Sequence, residues 1–196
     1  VRNFARAFGP RAARLCVVAF ALACMCALLA SSVAARPAAD EAEVRSAVER
    51  AFEQLRRGEY DALYDVLPTA SQRRLPRDRF VRGLKQTRNF YELQRVEITG
   101  VHVAGDLAVA DTTVYARALA PLEAEGKIVA RQYLVREGGR WRVTTGDRAA
   151  INPLLAANPA FGKRYPPTQP RVYVKRDGKW IDARTAFKNT RRPAGK

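Results

Sequence analysis

The 196-residue chain carries 35 Lys and Arg against 19 Asp and Glu, for a formal net charge of +16. Arginine supplies 28 of the positive charges and they are spread along the whole length, unlike the concentrated basic element of a nucleic-acid reader, so no nucleic-acid partner is expected. The three cysteines, Cys16, Cys24 and Cys26, all fall near the start, which leaves the rest of the chain without a thiol for a disulfide or a cysteine metal site.

Residues 1–35 read as a secretory signal. Arg2, Arg6, Arg11 and Arg14 form a basic head, Leu15 to Ala30 holds no charge, and Ser32-Val33-Ala34 offers a small-x-small exit. Cleavage after Ala34 or Ala35 is the expectation; four arginines and no acidic residue leave with the segment, which lowers the charge to +12. Left uncut, the segment offers about 20 mostly apolar residues, enough for a membrane anchor with the domain still outside. A lipoprotein signal fits less well, because Leu22 stands one position too late before Cys24. Val1 reads as a GUG start translated literally, and so as a bacterial gene. The expected location is extracytoplasmic, periplasmic or secreted, with membrane contact only through an uncleaved leader. About 160 residues remain, enough for one apolar core and too few for two large domains.

Arg36 to Asp40 reads as a short mobile lead-in. From Glu41 to Arg57 the residues Val44, Ala47, Val48, Ala51, Phe52 and Leu55 recur at spacings of three and four, the apolar stripe of an amphipathic helix that Gly58 ends. Glu59 to Leu67 gives a second helix, presenting Tyr60, Leu63, Tyr64 and Leu67 before Pro68. A third begins at Pro76 and carries Phe80, Val81 and Leu84. After Asn89 the period becomes that of strands. Leu93 to Thr99 alternates, Gly100 marks a bulge, and Gly105-Asp106 a turn into Leu107 to Ala118. Lys127 to Arg136 turns through Gly138-Gly139 and returns through Trp141 and Val143 to Thr145. The chain from 148 to 170 is a connector, with a short helix over Arg148 to Asn158 and an extended, proline-rich remainder. Residues 171–184 form a hairpin around Asp177-Gly178, and 185–196 a basic disordered tail. Together these imply an α+β fold, with three N-terminal helices packed on one face of a curved, mainly antiparallel sheet of four or more strands.

That order, with Gly58 to Leu84 (GEYDALYDVLPTASQRRLPRDRFVRGL) and Tyr133 to Val143 (YLVREGGRWRV), resembles the nuclear transport factor two-like superfamily. The N-terminal domain of MecA-type penicillin-binding proteins has a similar pattern, as do many exported SnoaL-like proteins and domains of unknown function. The resemblance covers residues 41–147 and implies a cone of sheet and helices around a cavity. The superfamily includes isomerases, dehydratases, cyclases and domains without known activity, so the fold selects no reaction.

The chemistry-bearing candidates are few, and no cofactor or metal is expected. His102, the sole histidine, has no visible orienting partner and reads as a solvent-facing strand residue. Asp111, Thr113 and Tyr115 share one strand face, and Tyr133 lies on the neighbouring strand. If that face lines the cone, Asp111 with Tyr115 or Tyr133 forms an acid-base set of the kind ketosteroid isomerase-like relatives use. Otherwise Asp111 pairs across the sheet with a residue such as Arg95 or Arg131. Tyr64, Phe80, Tyr91 and Trp141, with Asp111, Tyr115 and Tyr133, are candidates to line a ligand cavity, or to fill it as core. Asp61 and Asp65 read as solvated. On the hairpin, Tyr173, Lys175 and Trp180 share one face, opposite Val172, Val174 and Ile181, and make a surface-binding candidate.

The favoured reading is an exported, non-enzymatic module for a small apolar ligand or an anionic envelope component. The alternatives are a SnoaL- or isomerase-like enzyme on a small apolar substrate and an accessory domain of an envelope assembly. A homodimer through the sheet is a further expectation.

Overall fold

The computed structural model describes residues 32–121 and 123–185. The chain divides into two compact units, Val1–Asp40 and Glu41–Lys196, and every strand belongs to the second. The expected signal segment up to position 31 and the expected tail from 186 onward lie outside the described residues. Among the described residues no helix is long and apolar enough to cross a membrane.

Helix α1 spans Ser32–Arg57, so the expected lead-in Arg36 to Asp40 is helical. Ala34, Ala35, Ala38 and Ala39, the strongest helix formers, extend the helix upstream of Glu41. Its stripe behaves as the spacing requires, with Val44, Ala47, Val48, Ala51 and Phe52 buried. Gly58, at φ +78°, then takes the left-handed conformation that stops the helix. Helix α2 covers Tyr60–Asp65, α3 Thr69–Arg74 and α4 Arg77–Thr87, with a 3-10 turn at Arg88–Phe90. Helix α3 has no counterpart in the sequence reading, because TASQRR shows no apolar period. Two side chains tie this region together. The buried Tyr64 hydroxyl lies 2.9 Å from the carbonyl oxygens of both Gln72 and Leu75. Arg77 pairs with Asp61 and Asp65 and covers the Tyr64 ring at 4.5 Å, so those carboxylates, though exposed, are engaged.

The strands are β1 Tyr91–Ala104, β2 Leu107–Ala118, β3 Glu125–Glu137, β4 Arg140–Val143, β5 Arg171–Arg176 and β6 Lys179–Asp182. They form one antiparallel sheet in the order β1-β2-β3-β5-β6, with β4 also paired to β3. The protein is therefore α+β, with helices leading into a six-stranded antiparallel sheet. The register shifts between Ile98 and Gly100, where the sequence places a bulge. Asp177 and Gly178 both have positive φ, as the two-residue hairpin requires. The hairpin adds to the sheet edge-on, through Gly126 to Val129 of β3.

Both faces of the sheet are covered at one end. On one face, Val44, Ala47 and Val48 of α1 pack on Val101, Ala108, Ala110, Leu134 and Trp141. On the other, α5 (Arg148–Ala157) and α6 (Pro159–Arg164) bring Ile151, Leu155 and Phe161 onto Leu107, Val109 and Tyr133. Helix α6 replaces part of the stretch expected to be extended, because Pro159 suits the first helical turn.

Asp147 caps α5 by accepting from the Ala150 N–H at 2.9 Å. Burial pushes its carboxyl up, but the Thr145 hydroxyl, Arg74 and the Ala150 N–H together outweigh that and hold it below the ordinary value of 3.8. A depressed carboxyl contributes stability above its unfolded value and loses it as pH falls through the folded one. Asp147→Ala accordingly lowers stability by about 1 kcal/mol near neutral pH. Paired melts against the parent chain show that gap closing as the pH falls below 3.8.

Candidate functional site

Between the helices and the inner face of the sheet lies a half-open pocket of about 270 Å³. Helix α1 gives it Val48, Ala51, Phe52 and Leu55, while Leu63 comes from α2 and Leu67 from just beyond it. Helix α4 gives Phe80 and Leu84. None of the α4 residues is fully buried, and Phe80 and Leu84 border the open space. The floor is the even-numbered face of β2, Thr112 and Val114, flanked by Val96 of β1 and Gln132 of β3. Val143, Thr144 and Thr145 close one end.

No lining side chain is ionisable. The Thr112 hydroxyl donates to the Ala130 carbonyl at 3.0 Å, and that of Thr145 to Asp147. The Gln132 amide has no hydrogen-bond partner among the described residues, and neither does the buried Thr144 hydroxyl. Thr144 stands between this pocket and a second space of about 420 Å³ bordered by α3 and α5. A wider hollow of about 630 Å³ lies beside α1 and the β3–β4 turn. Most of its charged side chains are paired, Glu43 with Arg136, Asp65 with Arg77 and Arg142 with Glu137.

The pocket brings together few of the residues singled out from the sequence. Phe80 lines it, tilted against Tyr64 at 5.6 Å, but Tyr64 itself is a buried strut. Tyr91 borders a separate hollow at the start of β1. Trp141 is buried in the core beside α1, its indole N–H without a partner. Asp111, Tyr115 and Tyr133 occupy the odd-numbered face, away from the pocket. Asp111 accepts from Arg131 at 2.8 and 3.2 Å, the cross-sheet pairing that was the alternative to a catalytic role. That carboxylate in turn raises the Arg131 pKa. Tyr115 donates to Glu97 at 3.0 Å, with Arg95 over its ring. Burial pushes the Tyr133 phenol up, which keeps it a proton donor to the Tyr165 carbonyl at 3.0 Å. Asp111 and Tyr133 both lie near Arg131, and the apolar pocket draws on none of Asp111, Tyr115 and Tyr133. His102 is exposed and stacks on Tyr165 at 5.3 Å.

The hairpin's aromatic face is occupied from within. Trp180 meets the edge of Tyr115 at 6.1 Å and carries Lys127 over its ring at 4.8 Å. Lys127 also lies over Tyr173 at 5.3 Å, and Lys175 is paired with Glu125 at 2.7 Å. The residues of the pocket left out of the sequence reading, such as Val114 and Gln132, carried one usable signal. They alternate with Thr113 and Arg131 and so share the face on which the α1 stripe lands.

The geometry defines an α+β protein with an apolar pocket between its helical layer and its sheet. No family model matches the chain, and no curated protein does. Among solved structures it is similar to an NTF2-like protein of unknown function from Pseudomonas putida KT2440. The two are 20% identical, the match covers 54% of this chain and 82% of that one, and the TM-score is 0.39.

Proposed function

We propose that the domain is a binding module for a small, mainly apolar ligand, held between helices and sheet, and that it acts outside the cytoplasm. One observation carries the reading: a pocket of about 270 Å³ walled by aliphatic and aromatic side chains, with an unpaired amide at Gln132 as its polar handle. Apolar walls with a few convergent polar groups are the usual make-up of a small-molecule site. A primary amide both donates and accepts, so it selects a ligand with one carbonyl or hydroxyl. With no ionisable group in the walls, the reading favours binding over acid-base turnover.

Calorimetric titration with 2-acetylnaphthalene, an apolar probe bearing one carbonyl, tests this. Saturable binding is expected, and Val114→Phe, which fills the floor, abolishes it. Gln132→Leu weakens the probe about tenfold, one lost hydrogen bond left unmade. The same variant leaves the melting temperature level or higher, since the amide makes no internal bond. Absence of saturable binding at millimolar probe, or equal binding by Val114→Phe, defeats the reading.

A further inference from the structure

The apolar floor of the pocket continues beyond its rim. Val96, Val114, Ile128 and Val172 run in register across β1, β2, β3 and β5. The first two lie inside the pocket, whereas Ile128 is 37% exposed and Val172 43%. Along the hairpin the same face adds Val174 opposite Ile181, both half-buried. Strand alternation then brings Arg176 onto that face, with Lys179 as its cross-strand partner at the hairpin tip. Both are exposed, and among the described residues neither has an ion-pair partner. Lys175, on the opposite face, is paired with Glu125.

We propose that this strip is the outer half of the pocket's binding site and that its occupant is a single-chain anionic amphiphile, a fatty acid. The proposal rests on the pocket reading and adds the class of ligand. The apolar end sits in the pocket, the chain lies over Ile128 and Val172, and the carboxylate meets Arg176 and Lys179. Two strand spacings from Val114 to Val172 and, at right angles to them, four residues from there to Arg176 make a direct span of roughly 16 Å. The long Arg176 and Lys179 side chains are able to bridge several ångströms of it. A ring-sized ligand does not cover that span; an extended alkyl chain does. Charge selects the occupant as well. A second copy of the chain laid on the strip gains aliphatic contact but leaves both cations without a counter-charge, whereas a carboxylate supplies one where the apolar track ends.

The test titrates the whole chain with hexanoate, octanoate and decanoate, with 2-acetylnaphthalene as the probe of the pocket alone. Affinity is expected to rise about fourfold for each two methylenes, because an open track buries roughly half of each. The double variant Arg176→Gln, Lys179→Gln weakens decanoate about fivefold and leaves 1-decanol unchanged. Val172→Asp weakens decanoate without affecting 2-acetylnaphthalene. Val172→Ser serves in its place if circular dichroism shows the aspartate variant unfolded. If 2-acetylnaphthalene binds but chain length and the hairpin variants have no effect, the strip is not a site and the pocket reading survives. If neither probe binds, both fall. Binding to phosphatidylglycerol vesicles with no affinity for free decanoate makes the strip a membrane-facing surface and overturns the proposal.

Discussion

Replacing Leu134 with alanine lowers the unfolding free energy by about 3 kcal/mol and the melting temperature by roughly 9 °C. Leu134 is fully buried in the second half of β3, opposite Ala108 on β2 and Val143 on β4, where the α1 stripe lands. Its β2 neighbour Ala108 is small and the β-branched Val143 is stiff, so little can move in to refill the space, and the cavity cost adds to the lost transfer energy. Ile128, six residues earlier on the same face and 37% exposed, provides the control. Ile128→Ala costs under about 1 kcal/mol, because water already reaches the side chain. Urea denaturation of the two variants reads both numbers. A loss below about 1 kcal/mol for Leu134→Ala contradicts the placement of the core between α1 and the sheet.

The same contrast shows what was legible in the sequence. The α1 stripe at spacings of three and four, the bulge at Gly100 and the turn at Asp177-Gly178 are set by near neighbours in the chain, and they stand where the pattern puts them. The pairing of β5 with β3 joins Val172 to Ile128, and no local period encodes which edge a hairpin will find. The hairpin therefore reads as a separate appendage when it is a continuation of the sheet. Helix α3 was invisible for the opposite reason: its six residues are polar, and it is held by contacts outside itself. Gln72 donates from its side chain to the carbonyls of Tyr64 and Leu67, and Thr69 meets Glu137.

The candidate site was harder to see because β2 is buried on both faces at its start. Leu107, Ala108, Val109 and Ala110 are all buried, two under α1 and two under α5 and α6. A strand covered on both sides loses the alternation that would show which face is interior. Without that clue the strand's polar and aromatic residues, Asp111 and Tyr115, stand out in the sequence, while the plain residues Thr112 and Val114 form the pocket floor. The candidate site is a space between aliphatic side chains, and a space leaves no distinctive residue behind.

Phe161→Ala is expected to cost about 3 kcal/mol while leaving the affinity for 2-acetylnaphthalene unchanged. Phe161 is the buried residue of α6, packs against Tyr165 at 5.1 Å, and belongs to the core that covers the odd-numbered face. Around it Tyr133 holds the Tyr165 carbonyl, and His102 stacks on the Tyr165 ring. Removing the ring loosens α5 and α6 as one unit. Hydrogen exchange should quicken over residues 148–165, while β2 and β3, still covered by α1, keep their protection. The pocket lies on the other side of the sheet and draws no side chain from α5 or α6, so its walls stay in place. Loss of the probe together with Phe161 would mean that the two faces of the sheet are coupled, and that the site includes more than the pocket walls. An unchanged probe with a lower melting temperature assigns α5 and α6 to stability and the even-numbered face to binding.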